Sequence, residues 1–368
     1  MRILFVTQVR LDRPQGGPRH VLAVARCWAE AGHSVALLAP GTDPPDPGVQ
    51  RVRPRRVAAG ARLEAALAAR LPGLLVRSSP DVAYVRLSAT SSLVPFALGA
   101  LRLPFVTELN GRLLDELAAL GRPPAAIAAV RAVQRRVAAL AFATVAVEGR
   151  IGAHAREALG ARDVRVIENG ADLRAATPGD RAAARRRLGL APRTPLLAFA
   201  GTLAPELRLD LLAEALRSRP GVQLVVAGDG PARARWEAAI QDLPNVRYVG
   251  PRPHGEAIDL LRAADVCVNV RDGDLGMKAL EYAAVGRRFV AFRVDGAERL
   301  ERLYPGERAA FLVEERSAPA LGAALDAALD AEAAGPLSAE GIAGARAEVG
   351  WERTAARIAA VLDEARGA

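Results

Sequence analysis

Residues 272–286, DGDLGMKALEYAAVG, combine a glycine-containing loop with the start of a short helical pattern. The first N–H groups of a helix have no intrahelical partner and the helix dipole is positive at that end, so such a loop can bind phosphate. Glu281, about one turn into the helix, is placed to accept hydrogen bonds from two adjacent sugar hydroxyls. A nucleotide sugar carries both groups. The alternative is an ordinary loop before an amphipathic helix with a solvated glutamate.

Glycines also follow three predicted strands, at Gly16 and Gly17, at Gly201, and at Gly228 and Gly230. A residue without Cβ at the carboxyl edge of a parallel sheet lets backbone N–H groups approach a diphosphate, and the next helix adds its positive end. The last pair, in the sequence GDGP, is equally typical of a tight turn with proline at the first helical position. No G-x-G-x-x-G follows the first strand and no P-loop occurs, which disfavours a Rossmann dehydrogenase and a P-loop NTPase.

Short apolar runs alternate with helical patterns along the chain, which predicts parallel sheets covered by helices. The first series predicts a helix at 18–31 and strands at 3–7, 34–39, 82–86, 104–107, 143–147 and 164–167. After a break near 175–195, the second predicts helices at 206–218 and 231–241 and strands at 196–200, 222–227, 246–249 and 266–270. We therefore predict an α/β protein with two Rossmann-like domains facing across a cleft, residues 1–175 and 176–350, and a last helix at 351–366.

Two cysteines, Cys27 and Cys267, lie far apart in apolar patterns, which favours reduced core thiols over a disulfide or a metal site and predicts a cytoplasmic location. No apolar run reaches the roughly 18 residues of a membrane span. The opening MRILFVTQVR lacks the longer apolar region and cleavage site of a signal peptide, so we interpret it as a buried strand.

The net charge of +9 comes from the first half: residues 1–172 hold 23 arginines against 14 acidic residues, and the remainder has 27 basic and 27 acidic residues. Arginines flank leucines at helical spacing in residues 63–75, which suggests a basic amphipathic helix for anionic lipid headgroups. These arginines are Arg51, Arg53, Arg55, Arg56, Arg62, Arg70 and Arg77. The alternative is a surface helix whose leucines face the core. Without zinc-finger spacing or a recognition-helix signature, a nucleic-acid partner is not expected.

Seven segments, in chain order, resemble those of the family-4 glycosyltransferases: QGGPRH (15–20), ENGAD (168–172), AGTLAPE (200–206), VVAGDGP, VRYVGPRPHGE, ADVCV and KALEYAAVG. The likeness runs from the first strand to a final helix led by Trp351. Such proteins have the GT-B fold, in which the N-terminal domain receives the acceptor, the C-terminal domain holds the nucleotide sugar, and the last helix crosses back to the first domain. The resemblance implies retaining transfer in which the leaving phosphate takes the acceptor proton, with no metal and no cofactor.

For the donor, the resemblance assigns Glu281 to the second acidic residue of the family's E-x7-E motif, which holds the ribose. Gly276 lies in the loop before it. The first acidic position falls on Gly273, which has no side chain, so Asp272 or Asp274 beside it would have to reach a sugar hydroxyl.

The family's phosphate-binding basic pair falls on Thr202 and Leu207, so both charges are missing. Because preorganised donors aimed at a departing diphosphate can each be worth ~3 kcal/mol, replacements are needed. Arg208 and Lys278, the only lysine, are candidates, although both are equally typical of surface charges. With Asp274 they make up the predicted catalytic set. The helix start near Met277 and the N–H groups of Gly16 and Gly17 are further candidates.

Residues 107–117, TELNGRLLDEL, resemble the family's EVNG-like stretch after a strand, which implies that Glu108, Asn110 and Arg112 hold an acceptor hydroxyl at the cleft edge. His20 follows the first glycine pair by three residues. It could face the sugar or act as a structural hydrogen-bonding residue.

These features predict a retaining hexosyltransferase that uses a nucleoside-diphosphate sugar, with a lipid-linked or cell-envelope acceptor at the inner face of a membrane. One alternative is a non-catalytic binding or partner subunit that kept the fold after losing the basic pair. Another is a nucleotide-sugar epimerase, which needs acid/base residues at the cleft and which the motif order disfavours.

Overall fold

The chain forms two compact units, seen in a computed structural model that describes residues 1–12, 16–41, 49–52 (backbone only at 51–52), 59–273 and 275–368. Unit 1 comprises Met1–Gly170 and Trp351–Ala368, and unit 2 comprises Ala171–Gly350. The chain therefore passes into unit 2 after residue 170, where the sequence predicted a boundary at 175, and its last helix belongs to unit 1.

Unit 1 is built on one parallel sheet. Its strands are β1 (Arg2–Thr7), β2 (Ser34–Leu38), β3 (Val49–Val52), β4 (Val82–Arg86), β5 (Phe105–Leu109), β6 (Ala143–Ala146) and β7 (Val164–Val166). Before the chain passes into unit 2, the helices of unit 1 are α1 (Gly16–Glu30), α2 (Gly60–Ala68), α3 (Leu71–Ser78), α4 (Leu93–Ala100), α5 (Leu113–Ala119), α6 (Pro124–Leu140) and α7 (Gly149–Glu157). The strand order is β3-β2-β1-β4-β5-β6-β7.

Unit 2 repeats this architecture with a six-stranded parallel sheet. Its strands are β8 (Leu196–Ala200), β9 (Gln223–Ala227), β10 (Val246–Gly250), β11 (Val266–Asn269), β12 (Arg288–Phe292) and β13 (Ala310–Val313), in the order β10-β9-β8-β11-β12-β13. Its helices are α8 (Arg181–Arg187), α9 (Leu209–Arg217), α10 (Arg233–Ile240), α11 (His254–Ala263), α12 (Lys278–Ala284), α13 (Glu298–Glu301), α14 (Ala318–Ala334) and α15 (Ala339–Val349). The chain then returns to unit 1 as α16 (Trp351–Gly367). The prediction of two parallel α/β domains is confirmed.

The strands are nearly continuous apolar runs because helices cover both faces of each sheet. In β1, Leu4 and Val6 face the core under α2, α3 and α4, whereas Phe5 packs against Trp28 of α1 on the other face. α16 lies against α1 on that second face, where the indole Nε1 of Trp28 donates to the carbonyl oxygen of Ala355 at 2.9 Å. The last helix therefore completes the core of unit 1.

Three strands, β3, β12 and β13, were not predicted. β3 (VQRV) contains two polar residues, and the apolar runs of β12 and β13 could also be parts of buried helices, which periodicity alone does not separate from short strands. The helix predicted at 206–218 begins only at Leu209, because residues 205–206 form a turn and the backbone of residues 206–208 pairs with the segment after β11. There the N–H of Arg208 donates to Val270 O at 2.8 Å, and that of Asp272 donates to Glu206 O at 3.0 Å.

The predicted lipid-binding leucines lie in the core instead. Residues 63–75 belong to two helices, α2 and α3, and Leu63, Leu67, Leu71 and Leu74 are each at most 4% exposed beneath α4. The core-facing alternative is therefore the one observed. The predicted arginines Arg53, Arg55 and Arg56, and the side chain of Arg51, lie outside the described residues. Within the described part of the chain, no helix is both long and apolar enough to span a bilayer.

We expect Leu67→Ala to lower the free energy of unfolding of unit 1 by about 2–5 kcal/mol, because the fully buried side chain would leave a cavity. Urea titration followed by circular dichroism measures the change. Val76→Ala on α3, where the side chain is 82% exposed, should change it by less than about 0.5 kcal/mol. Equal, small effects of both substitutions would contradict the core position of α2.

Candidate functional site

The loops that follow β8 and β9 approach each other closely at the carboxyl edge of the unit 2 sheet. Gly228 has a φ of 148°, and a Cβ on it would lie 1.8 Å from the carbonyl oxygen of Gly201. A Cβ on Gly230, with φ 157°, would lie 2.5 Å from the carbonyl oxygen of Leu203. Both distances are far below van der Waals contact, so only glycine permits this approach.

The N–H groups of these glycines are used inside unit 2. Gly201 N–H donates to Ala227 O at 2.9 Å, and Gly228 N–H donates to Gly250 O at 2.9 Å. Gly230 N–H donates to the carboxylate of Asp229 at 2.8 Å. The predicted role of these amides as diphosphate donors is therefore not available in this arrangement, which favours the tight-turn interpretation of GDGP. α10 begins two residues after the proline.

A lysine and a glutamate lie together at the end of β8. Lys278 Nζ is 2.8 Å from Glu281 Oε2. A Cβ on Gly201 would lie 3.3 Å from Lys278 Cε, so the bare glycine leaves room for the lysine stem. Glu281 is 8% exposed, whereas the lysine side chain is 28% exposed. This ion pair, called the Lys278–Glu281 pair below, places a cation and a carboxylate at the sheet edge.

The loop before α12 is held from the end of β11. The side-chain amide of Asn269, 4% exposed, donates to Leu275 O at 2.9 Å. Gly276 has a φ of 62°, a left-handed conformation that favours glycine. Met277 stands at the N-cap, and no side chain of the described residues caps the helix there. Sequence reasoning missed Asn269, although a polar residue at the last position of an apolar strand was a usable signal. Asp274 lies outside the described residues.

The two positions of the missing basic pair are occupied differently. Thr202 is exposed, whereas Leu207 is 2% exposed in the apolar core and forms an antiparallel bridge with Arg271. Arg208 is the next residue, just before α9, and its side chain is 31% exposed.

Arg208 belongs to an ion-pair network that sequence reasoning did not anticipate. Its guanidinium lies 2.9 Å from Asp210 and 3.8 Å from Asp272. Arg235 also binds Asp210 at 3.0 Å, and Arg316 binds Asp272 at 3.0 Å. Burial by itself would raise the pKa of Asp210, but the hydrogen bond and the charge of Arg208 outweigh it and lower that pKa. The network contains three cations and two carboxylates.

In unit 1 the predicted acceptor residue Glu108 is fully buried. The sequence placed it after a strand, but β5 continues to Leu109 and so includes it. Its Oε2 is 3.0 Å from His20 Nε2, and its Oε1 is 3.0 Å from Arg86 Nη1 and accepts a hydrogen bond from Asn110. All its contacts lie within unit 1, so the carboxylate is not open to an acceptor hydroxyl in this arrangement.

The electrostatics of this cluster favour the ionised carboxylate. Burial alone would raise the pKa of Glu108, but the charges of His20 and Arg86 and the hydrogen bond from His20 outweigh it and hold that pKa well below its ordinary value. Burial and the nearby Glu108 charge raise the pKa of Tyr84 well above its ordinary value, so its hydroxyl stays neutral.

His20 is 3% exposed and has hydrogen-bonding partners at both ring nitrogens. Its Nδ1 is 2.8 Å from Asn169 Oδ1, and the Trp351 ring lies edge-on at a centroid distance of 4.9 Å. The structural alternative is therefore favoured for His20. Arg112 is half exposed and pairs with Asp115 at 3.0 Å.

A cavity of about 440 Å³ opens in unit 1 beside the ends of β1 and β4. Its polar lining includes Gln8, Arg10, Arg86 and Ser88, and it contains no acidic lining residue in the described part of the chain. Gly17, near the start of α1, approaches the same region, because a Cβ on it would lie 3.9 Å from Arg86 Nη2. Gly16 is the first residue of α1. The described residues contain no group of three or more His, Cys, Asp or Glu side chains that could hold a metal.

Two solved structures share the fold over nearly the whole chain. Sucrose-phosphate synthase from Thermosynechococcus elongatus has a TM-score of 0.78 at 20% identity and covers 98% of both chains. HepE of Anabaena, in complex with UDP and glucose, has a TM-score of 0.72 at 18% identity and covers 99% of both chains. At these identities the likeness shows the fold alone, and it confirms the predicted GT-B class.

The family follows from two sequence matches. Residues 14–175 match the model described as Glycosyltransferase Family 4, and residues 194–331 match the model described as Glycosyl transferases group 1. Together these matches cover most of the chain, which therefore belongs to the family-4 glycosyltransferases, as its motifs predicted.

Curated relatives match over part of their length. A D-inositol 3-phosphate glycosyltransferase from Actinosynnema mirum is 33% identical over 226 residues, or 55% of this chain and 52% of that protein. One from Mycobacterium sp. strain KMS is 37% identical over 141 residues, or 36% of this chain and 32% of that protein. The chain thus spans between about a third and a half of these relatives.

We expect Glu108→Gln to lower the free energy of unfolding near pH 7 by about 3–5 kcal/mol, because it leaves the Arg86 guanidinium without its buried partner. The folded-state pKa of Glu108 lies below the ordinary value of 4.5, so the stability it supplies is fully present above pH 4.5 and is lost as the pH falls further. The difference between the two proteins should therefore shrink below pH 4.5. Urea titrations at several pH values measure it.

Asp115→Asn is the matched control, since its carboxylate is 51% exposed in a surface pair with Arg112. It should cost less than about 1 kcal/mol at any pH. A Glu108→Gln penalty that did not change with pH would contradict a carboxylate kept ionised by its neighbours.

Proposed function

We propose that this protein is a retaining glycosyltransferase that moves a sugar from a nucleoside diphosphate to an acceptor. The observation that carries the proposal is the Lys278–Glu281 pair at the carboxyl edge of the unit 2 sheet, where Gly201 leaves room for the lysine stem. Parallel α/β sheets bind nucleotides at this edge. The pair also lies inside the segment matched by the family's group 1 model.

On the donor side, Glu281 accepts hydrogen bonds from the ribose hydroxyls, and Lys278 neutralises charge on the diphosphate. Breaking the anomeric C–O bond leaves negative charge on that diphosphate, and a preorganised donor aimed there contributes ~3 kcal/mol. Arg208 supplies a second cation, which its hydrogen-bonded ion pair with Asp210 keeps in place. The uncapped start of α12 at Met277 adds backbone N–H groups.

The unit 1 cavity is the proposed acceptor pocket. Arg10 and Arg86 line it. Each pairs with a carboxylate of unit 1, Asp12 and Glu108 respectively, and their remaining guanidinium N–H groups suit an acceptor that carries an anionic group. The relative from Actinosynnema mirum is named for an acceptor of that kind, an inositol phosphate. The leaving phosphate takes the acceptor proton, so the reaction needs no separate base, metal or cofactor.

The non-catalytic alternative is supported by the loss of both family cations, since Leu207 is buried and Thr202 is neutral. Lys278 and Arg208 nevertheless keep two positive charges near the donor loops. The epimerase alternative has less support, because Glu108 and His20 are buried and satisfied within unit 1.

We expect one nucleoside-diphosphate sugar, from a panel of UDP, GDP, ADP and TDP sugars, to bind the protein in isothermal titration calorimetry. Glu281→Ala should weaken that binding at least about tenfold, because the ribose hydroxyls lose a charged acceptor. Glu214→Gln, an exposed position on α9, is the control and should bind as the wild type does. Transfer of the bound sugar to a phosphorylated polyol, with the anomeric configuration of the product read by NMR, tests retention.

Binding without transfer or hydrolysis would support the non-catalytic alternative. Turnover of the donor without any acceptor into a different sugar nucleotide would support the epimerase. Equal affinities of the Glu281→Ala and wild-type proteins would remove the Lys278–Glu281 pair from the donor site.

We further propose that unit 1 contacts an anionic membrane surface, where a lipid-linked acceptor would be met. The leucines of α2 and α3 are buried, so the contact is assigned to the ends of α4 and α6. There Leu101 is 60% exposed and Leu140 is 49% exposed, with Arg102 and Arg136 also exposed nearby in the chain. Leu140 lies against Gly99, which joins the two helix ends into one surface.

Arg102→Gln combined with Arg136→Gln should weaken binding to vesicles of about 30% anionic lipid at least about tenfold, since each basic residue near such a surface contributes about 1 kcal/mol. Co-sedimentation measures the bound fraction. The control pair, Arg217→Gln with Arg233→Gln, removes two exposed charges from unit 2 and should leave binding unchanged. Wild-type protein that bound neutral and anionic vesicles equally would contradict the proposal.

A further inference from the structure

We propose that Arg316 is a positioning residue of the donor site: it holds the carboxylate of Asp272 so that this group accepts a hydrogen bond from a hydroxyl of the donor's sugar. The inference rests on the proposed function, because it concerns how the same site recognises the transferred sugar. Arg316 is not part of the donor motifs found in the sequence. It lies between β13 and α14, more than 40 residues after Asp272.

The guanidinium of Arg316 is fixed from several directions. Its Nε donates to Asp272 Oδ1 at 3.0 Å, and its Nη2 donates to Arg293 O at 2.7 Å. Its Nη1 donates to Val313 O at 3.3 Å and to Glu314 O. These carbonyl groups follow or end β12 and β13. The planar fork of arginine is thus anchored to the sheet edge by three carbonyls, which leaves Nε to bind the aspartate.

The guanidinium carbon of Arg316 lies over the Phe292 ring, 4.9 Å from its centroid. This cation–π contact adds to the hydrogen bonds that hold the group. The contacts hold Arg316 although its side chain is 30% exposed. An exposed arginine with these contacts can orient a partner, whereas a solvated one would move among many rotamers.

Asp272 is held at two points and open at a third. Its N–H donates to Glu206 O at 3.0 Å, and its Oδ1 is bound by Arg316. Its Oδ2 is 3.8 Å from Arg208 Nη1, which is too long for a hydrogen bond. The side chain is 36% exposed. One carboxylate oxygen is therefore directed by Arg316, and the other can accept a bond from a ligand.

This arrangement supplies a carboxylate from Asp272 in place of the acidic residue that the family's E-x7-E pattern has at position 273. Gly273, with a φ of 90°, occupies the first acidic position of the E-x7-E pattern and cannot contact a sugar. Asp272 has a shorter side chain than glutamate and stands one residue away, so it needs an external group to set its direction. Arg316 meets that need, and fixing the rotamer in advance lowers the entropy lost on binding.

The test compares two ligands rather than one. The nucleoside-diphosphate sugar that binds the wild type, and the matching nucleoside diphosphate without the sugar, are titrated calorimetrically into wild type, R316Q, D272N and the double variant. R316Q and D272N are each expected to weaken binding of the sugar nucleotide about five- to tenfold, while binding of the free diphosphate changes less than about twofold. The double variant should bind no more weakly than either single variant, since both remove one interaction.

R316K and R219Q serve as further variants. Lysine keeps the charge but cannot reach Asp272 and three carbonyls at once, so R316K should weaken sugar-nucleotide binding as R316Q does. R219Q breaks the pair of Arg219 with Asp326, which lies within α14; it removes the same charge and should bind both ligands as the wild type does. If R316Q does not fold, R316K and D272N carry the same comparison, since D272N leaves the carbonyl contacts intact.

Equal weakening of both ligands in R316Q or R316K, unchanged sugar-nucleotide binding in D272N, or additive losses in the double variant would each overturn the role of Arg316. In all three cases wild-type binding still supports the proposed function. A wild type that binds no sugar nucleotide of the panel would overturn the proposed function, and this inference with it.

Discussion

The donor edge of unit 2 depends on the absence of side chains at Gly228 and Gly201. A Cβ on Gly228 would lie 1.8 Å from the carbonyl oxygen of Gly201, so the loops after β8 and β9 can meet this closely only because Gly228 has none. A Cβ on Gly201 would lie 3.3 Å from Lys278 Cε, so the glycine leaves room for the lysine stem. Two glycines therefore determine where these loops meet and where the cation of the Lys278–Glu281 pair stands. Glu281 in turn depends on that cation, because it is nearly buried.

Unit 1 contains a buried charge cluster, whereas the Lys278–Glu281 pair of unit 2 lies at the edge of its sheet. Its buried carboxylate, Glu108, is surrounded by His20, Arg86 and Asn110, which come from α1, the end of β4 and the loop after β5. Each of these contacts satisfies a polar group that burial would otherwise penalise. The cluster therefore joins distant segments of unit 1. Its one partly exposed cation, Arg86, also lines the cavity.

Much of the fold could be predicted from the sequence, because alternating apolar runs and helical patterns are a local signal. β4 and β8 match their predicted limits, and the parallel architecture follows from them. β12 and β13, which are no longer than β4 and β8, were missed because a short apolar run fits a buried helix as well as a strand, and their pairing in the sheet decides between the two. The predicted end of β5 lay two residues before the observed one, which moved Glu108 from the strand into a loop and suggested an open carboxylate.

The candidate site was predictable only where a motif lies within one segment. Glu281 and Lys278 belong to one short helix, and their closeness follows from a spacing of three residues. Arg316 and Asn269 act on the donor loop through tertiary contacts that no local pattern encodes. The sequence indicated the glycines because they follow predicted strands. The carbonyl oxygens against which they pack, and the hydrogen bonds that their N–H groups make, depend on how separate loops meet in the fold.

The contact of α16 with α1 has a consequence for the order in which the protein is made. Residues 351–367 leave the ribosome only after the whole of unit 2 has been synthesised, yet they cover one face of the unit 1 sheet and accept the hydrogen bond of Trp28. Until then the nascent N-terminal portion must keep an apolar surface exposed while a second domain folds beside it. Exposed apolar surface of this kind promotes aggregation during synthesis. Synthesis of unit 1 thus begins before that of unit 2 and is completed after it.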